Sequence, residues 1–549
     1  MKVILLFILS FSFSVYAQFT RDDRQLAVTT FTRNFDKVTT TEYLKSDTDA
    51  RVIAGLLSVS QSEDTNYVPL IIKLPADKFA REICFTLGQL GSCQRSVEYL
   101  RELFYQEGND PLTRYYALAA LGKVADSTAA VKLISDYTNA ESKTEFNGIS
   151  MALYYLFSNG KISADKIRPV LENEMYLSAS RQFEAAFSLY RIGPSKTEKE
   201  FLVKTLYRSL DADPINSVSQ KPVPYILACL RKLQYFPEDF SLLRKLSTVN
   251  DLQNRVEAVR ASIYYNFRTA DEVDFFLNYL NDENNNISLE AASAIKNINL
   301  SDDLKKYLDL KLDQLLQSDT LMDKYTRGEL LISFLSLYPG DFNDLSNKYF
   351  SDKISPEYIY KACSFYKDSN QALNFLIQKY PIVFYSEKIS ILESLLSFGQ
   401  TDPEVSSIVL GTIGSDSPVL LSIAAEGSDS SFIQEMKDTL SEIIPIKLEK
   451  HLNDPDFAEA LTALESISER ISPSLKEAAL AILSRSELYS IKKFVASIKG
   501  ESIRTISKNI DDFDTYWNKA FEYRQAEIVT DKGSFTISFL PGYAPVTVG

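Results

Sequence analysis

The sequence predicts an all-α fold, a solenoid of stacked helical hairpins, from three observations. Glycine contributes only 18 of 549 residues, well under the roughly 7% of average usage, whereas sandwiches, barrels and propellers consume glycine in their turns. A small residue flanked by aliphatics recurs at Ala54, Cys84, Ala117, Ala152 and Ala185, in steps of 30, 33, 35 and 33 residues, and again at Ala228, Ala258 and Ala291, in steps of 30 and 33. The stretches around these positions carry apolar residues at helical spacing. At about 150 residues per domain the length suggests three or four domains, unless the chain is a repeat array. A period near 33 selects the array.

Within one unit, Ala117, Leu118, Leu121 and Val124 form one apolar stripe, and Val131, Ile134 and Tyr137 form a second beyond the turn at Ala125-Asp126-Ser127. The unit from Arg255 to Leu280 is sharper. Val256, Val259, Ile263 and Phe267 line its first helix, and Thr269 with Glu272 reads as a capping box. Val273, Phe276, Leu277 and Leu280 then follow at i, i+3, i+4 and i+7. Each unit therefore reads as a hairpin whose small residue lets its two helices approach closely. One hairpin cannot bury its own apolar faces, so neighbours must stack. An arginine precedes four of the small positions: Arg51, Arg114, Arg181 and Arg255. Beyond residue 300 the phase loosens, but Tyr358–Cys363, Ile389–Phe398, Phe457–Ile467 and Ala478–Leu483 keep helical apolar faces. The array is expected over residues 18–500, with a break in the Ser/Asp/Gly-rich stretch 414–431, and a connecting helix over 501–525.

The run Asp110 to Gly122 (DPLTRYYALAALG) resembles the first helix of a HEAT repeat, with Asp-Pro, Arg, Ala and Ala-Leu-Gly in order. Arg181 to Gly193 and Arg51 to Leu57 are similar but degenerate. The Trp…Leu-Gly…Tyr pattern of tetratricopeptide repeats is absent. The HEAT resemblance implies an architecture and no chemistry.

Composition narrows the function further. Lys plus Arg is 59 against 73 Asp plus Glu, a formal charge of −14, which excludes a chain-wide surface for nucleic acid or acidic lipid and leaves room only for a local basic patch. The single histidine, His451, excludes any site needing two His ligands; it reads as a helix end. No phosphate-binding glycine loop, metal-ligand cluster or Gly-x-Ser-x-Gly elbow occurs, and no cofactor or metal is expected. Asp302-Asp303 and Asp511-Asp512 read as solvated helix caps. Tyr516 and Trp517 read as core or as an anchor for the next domain. The four cysteines are too sparse for a disulfide framework. Cys84 and Cys93 are near enough in sequence to pair in an oxidising compartment, while Cys84, among Ile83, Phe85 and Leu87, reads as core.

Residues 1–17 read as a signal peptide: Lys2 is the positive end, Val3 to Val15 the apolar run, and cleavage falls between Ala17 and Gln18. Thirteen apolar residues are too few for a ~30 Å hydrocarbon core. The mature protein is expected to be exported, to the periplasm rather than the extracellular space, with no membrane span.

After Arg524 the pattern changes. Phe535, Ile537 and Phe539 alternate with Ser534, Thr536 and Ser538, which is a strand period; Asp531-Lys532-Gly533 turns it back on Glu527–Thr530. Over residues 526–549, Thr530, Lys532, Gly533, Phe539, Pro541, Ala544, Pro545, Thr547 and Val548 resemble, in order, the opening of a cyclophilin-type peptidyl-prolyl isomerase domain. The resemblance implies a barrel whose catalytic residues lie beyond Gly549, so that this chain is truncated within the first motif and inactive alone. It implies no cofactor, and partners that are proline-containing polypeptide clients or envelope proteins. The competing expectation is a non-enzymatic exported scaffold in which the tail is a cap.

Overall fold

The computed structural model describes residues 23–539, except 33–34, 63, 107, 129–131, 134, 136–141, 178–181, 212–221, 250, 319–321, 367–368, 502–512, 523–524 and 531–532. Among the described residues there are thirty α-helices and one two-stranded antiparallel sheet. The chain divides into two compact units, Met1–Leu233 with Thr505–Gly549, and Gln234–Arg504.

In the first unit, alternate helices form one row: α1 (Arg24–Thr32), α2 (Asp49–Ser60), α3 (Ala76–Gln89), α4 (Pro111–Val124), α5 (Lys143–Ser158), α6 (Gln182–Ile192) and α7 (Val223–Lys232). Each member packs on the next member of the row, and the intervening helices pack between them. The second unit repeats this arrangement with α8 (Leu252–Ser262), α9 (Asn285–Ala294), α10 (Lys324–Leu337), α11 (Pro356–Cys363), α12 (Tyr385–Phe398), α13 (Pro418–Glu426) and α14 (Ala458–Ile471). Within each unit this is a HEAT-like solenoid.

The recurring small residues fall one per row helix, from Ala54 on α2 to Ala291 on α9, and all eight are buried. Their role is wider than the sequence expectation. Close approach occurs within a hairpin, where a Cβ placed on Gly55 of α2 would stand 3.2 Å from the backbone nitrogen of Leu44, and also between successive row helices. A Cβ placed on Gly122 of α4 would stand 2.4 Å from Cα of Ala152 on α5, and one on Gly88 of α3 would stand 3.4 Å from Ala120 on α4. Side chains at these positions must be small because the partner surface is backbone. Val131, Ile134 and Tyr137 of the predicted second stripe, and Arg181, lie outside the described residues.

The arginines close the repeats electrically. Asp110, Asp251 and Asp323 each cap a row helix by accepting from backbone N–H groups of its first turn, and four residues later stand Arg114, Arg255 and Arg327. Arg114 Nε donates to the Phe104 carbonyl at 2.9 Å and pairs with Glu145 of α5. Arg327, 2% exposed, donates through one nitrogen to the carbonyls of Leu316 and Ser318 at 2.9 Å. These carbonyls end the preceding helices, where four acceptors lack intrahelical partners. Arg255 reaches Asp282 instead. The predicted capping box at Thr269 is half-made: Thr269 accepts from Glu272 N–H, but the Glu272 carboxylate accepts from Arg268 N–H and the Tyr265 hydroxyl. That helix pair also departs at Phe267, which lies past the end of α8 and stacks edge-on to Phe276.

The stretch 414–431 is not a break. It contains α13, whose Leu421 and Ala424 are fully buried, and Asp429 caps the next helix. Its other polar residues are also engaged, Asp416 with Lys447 and Lys450 and the Ser428 hydroxyl with the Ala424 carbonyl, and the division of the chain falls at 233/234 and 504/505 instead. The helix Phe513–Glu522 lies in the expected connecting segment and returns to the start of the chain. Trp517, 2% exposed, packs against Leu26 and Ala27 of α1 and Ala54 of α2, and Asp514 pairs with Arg24. Trp517 is thus core, and it holds its own helix on α1 and α2. Asp511-Asp512 and the side chain of Tyr516 lie outside the described residues.

Gly122→Ala is expected to lower stability by about 1–3 kcal/mol, because the α4–α5 backbones must separate. A Cβ added to Gly411, in the helix Pro403–Ile413, would meet no atom within 4 Å, so Gly411→Ala is expected to stabilise by about 0.5–1 kcal/mol. Thermal melts of both variants check the pair. Because Trp517 is the one tryptophan, its emission reports the return of its helix: Leu26→Ala is expected to shift emission to longer wavelength before the main unfolding transition.

Candidate functional site

The C-terminal turns of five successive row helices in the first unit carry alternating rings and cations. Lys123, near the end of α4, places Nζ 5.7 Å from the ring centre of Phe85 on α3 and 5.0 Å from that of Tyr155 on α5. Arg191, at the end of α6, lies 5.7 Å over the ring of Tyr154 and donates through Nε and an Nη to its hydroxyl at 3.3 and 3.1 Å. Lys232, which ends α7, stands 4.2 Å over Tyr190 of α6 and donates to the Tyr190 carbonyl. Cations suit helix C-termini, where the partial charge of the helix dipole is negative. Rings attract them through their negative faces.

The rings are braced from behind. Phe187 meets Tyr154 at 5.8 Å and Tyr225 at 5.5 Å, both edge-on, and Phe183 meets Tyr225 at 5.4 Å. Edge-to-face pairs of this kind fix ring orientation. In front of them lies a cavity of about 150 Å³ bounded by Tyr154, Phe157, Ser158, Tyr190, Arg191 and Lys232. No carboxylate lines it. Among the described residues, no carboxylate pairs with Lys123, Arg191 or Lys232 in this net-acidic chain. Burial holds the Lys123 ammonium below the usual lysine range. Burial, and then the neighbouring guanidiniums of Arg191 and Arg231, do the same to Lys232.

The positions singled out in the sequence are not gathered here. Gly533 opens the second strand of a hairpin, β1 (Gln525–Thr530) and β2 (Gly533–Ser538), where it pairs with Thr530. Gly533 is therefore a strand residue, and β1 begins two residues before the expected Glu527. Ile528 opposes Phe535 and Ala526 opposes Ile537, so one face is apolar and solvent-exposed. Phe539 is half-buried. Lys532, Pro541, Ala544, Pro545, Thr547 and Val548, and the cleavage positions Ala17 and Gln18, lie outside the described residues. His451 caps the helix Lys437–Lys450, stacks on Phe457 with ring centres 3.7 Å apart, and meets Asp416 at 3.1 Å. Lys447, Lys450 and His451 together hold the Asp416 carboxyl far below its usual range. All four cysteines are free; Cys84 is buried and its thiol is pushed up by desolvation, whereas Cys93 is half-buried at the start of the helix Gln94–Tyr105. Asp302 and Asp303 are exposed in the first turn of the helix Asp302–Gln317, whose cap is Ser301 and not either of them.

No protein-family model matches the chain, and no curated protein matches it. Solved structures do. A homology model of the full-length AP-3 complex in an intermediate open conformation is similar at 12% identity and a TM-score of 0.42, over 87% of this chain and 95% of that one. The crystal structure of Kap121p is similar at 14% identity and a TM-score of 0.44, over 84% of this chain and 56% of that one. The crystal structure of Kap121p bound to Pho4p gives 13% identity and a TM-score of 0.40 over the same shares.

One buried acid in the first unit titrates near neutrality. Glu198, 3% exposed, accepts from Ser195 N–H at 2.8 Å, and burial, with Glu172 nearby, pushes it up to about 7 from 4.5. Between those values the folded state holds more protons than the unfolded chain, so this group's contribution falls as pH rises from about 4.5 to 7. Glu198→Gln keeps the cap and removes the charge. It is expected to raise stability at pH 8, on the order of 1–3 kcal/mol, and to change nothing at pH 4.5; melts at the two pH values check it.

Proposed function

We propose that this chain is the partner-binding arm of an exported peptidyl-prolyl isomerase, a helical-repeat scaffold for polypeptides joined to a cyclophilin-type module that begins near residue 526. The observation that carries the scaffold reading is the strip of rings and unneutralised cations across α3 to α7. A row of helix ends presents repeated side chains along one line, and an extended polypeptide matches such a line. Rings of this kind also accept the flat face of proline, which is pre-ordered and therefore inexpensive to bind.

Support for the isomerase module comes from residues 525–549. Their ordered motif resembles the opening of that domain, and residues 525–538 form a hairpin with one apolar face exposed. Two strands are marginal alone in water. Export is supported by the Lys2, Val3–Val15 and Ala17 pattern, and clients that are proline-containing or envelope proteins follow from the same reading.

A protease-coupled prolyl isomerase assay on the protein encoded by the complete gene tests the reading. Isomerisation that takes tens to hundreds of seconds unaided is expected to accelerate in proportion to enzyme, while residues 18–549 alone leave the rate unchanged. An unaccelerated rate for the complete protein would remove the isomerase and leave the scaffold.

A further inference from the structure

We propose that the cavity between α5, α6 and α7 is a docking site for an acidic segment of a polypeptide partner, with one Asp or Glu carboxylate seated between Arg191 and Lys232 and a neighbouring apolar side chain against Tyr154 and Phe157. The proposal rests on the reading of the arm as a polypeptide-binding scaffold and names the chemistry of what it binds.

Donor capacity is the first argument. A guanidinium has five N–H donors and an ammonium three. Among the described residues, Arg191 directs its hydrogen bonds at the Tyr154 hydroxyl alone, and Lys232 at the Tyr190 carbonyl alone. Both acceptors are uncharged. Donors therefore remain on each cation, beside a cavity whose other walls are rings and the hydroxyl of Ser158. A carboxylate is the acceptor that fits the fork of an arginine.

Size is the second argument. The cavity measures about 150 Å³, similar to an engineered apolar cavity of about 150 Å³ that admits benzene. It has room for a carboxylate and part of a neighbouring side chain, and not for a stretch of nucleic acid. The third argument is charge. Binding a nucleic-acid backbone requires a track of cations, and the −14 of the chain repels a long polyanion. Two cations on a ring platform answer one or two carboxylates, with the rings contributing apolar contact on either side.

The test is fluorescence polarisation with the full 18–549 chain and a labelled peptide, Gly-Ser-Glu-Phe-Glu-Glu-Ser-Gly, beside the same peptide with Lys for every Glu. The acidic peptide is expected to bind and its lysine counterpart not to. Arg191→Gln and Lys232→Gln are each expected to weaken it about tenfold, with Trp517 emission and melting temperature unchanged in Arg191→Gln, whose side chain is exposed. Arg191→Glu should abolish binding, and raising the salt should weaken it. Absence of binding, equal binding by the Arg191 variants, or preference for a twelve-nucleotide thymidine strand overturns the proposal. If the Arg191 variants still capture proline-containing clients while losing nothing, the scaffold reading stands and this cavity is not its site.

Discussion

Backbone-to-backbone contact between successive row helices is the constraint on which the rest of the molecule depends. Gly122 against Ala152 sets the spacing of α4 and α5, and that spacing sets the position of everything the helices carry. Close approach leaves no room for side chains at the seam, which is why small residues recur there. It also brings each helix C-terminus beside the next, so that carbonyls without intrahelical partners collect along one edge. The chain answers one of these acceptors from the surface with Lys232, and Arg114 and Arg327 answer the carbonyls that end the intervening helices from inside. The aromatic and cationic strip is thus a by-product of stacking that has been furnished with rings.

This origin explains why the same residues serve structure and recognition without conflict. Lys232 satisfies a helix-end carbonyl with one donor and keeps others in reserve. Arg191 lies on Tyr154 with its charge still exposed. A cation on a ring loses little rotamer freedom when a carboxylate arrives, because it is already held. Phe187 and Tyr225 hold the rings in turn. The cost of ordering the site has therefore been met in folding, not left to binding.

Much of the framework was legible in the sequence because it is periodic. The small residues fall one per row helix, and the stripe Ala117, Leu118, Leu121, Val124 is buried throughout. The second partner, the next row helix, was not foreseen, since periodicity says which face is buried but not which neighbours cover it. The Asp-x-x-x-Arg spacing of Asp110 and Arg114 recurs at Asp323 and Arg327, past the point where the alanine phase loosens; cap and arginine persist where packing drifts. The polar stretch 414–431 misled for a related reason: serine and aspartate cap helices as readily as they loosen loops. The strip itself was hidden. Its members stand 31, 37 and 41 residues apart, as Lys123, Tyr154, Arg191 and Lys232 show, and each alone is an ordinary helix-end residue.

The return of the C-terminal helix changes what the tail can do. Phe513–Glu522 buries Trp517 against α1 and α2, and Gln525 starts the hairpin only three residues later. At about 3.4 Å per residue the hairpin cannot stray more than roughly 10–15 Å from that helix end. A module built onto residues 525–538 is therefore tethered to the N-terminal helices of the first unit, the same unit that carries the aromatic strip. Burying a tryptophan contributes on the order of 2–3 kcal/mol of transfer free energy, enough to keep the helix docked most of the time and little enough to let it detach. The tether makes a sequence-distant tail a local part of the first unit, beside the N-terminal end of the repeat array.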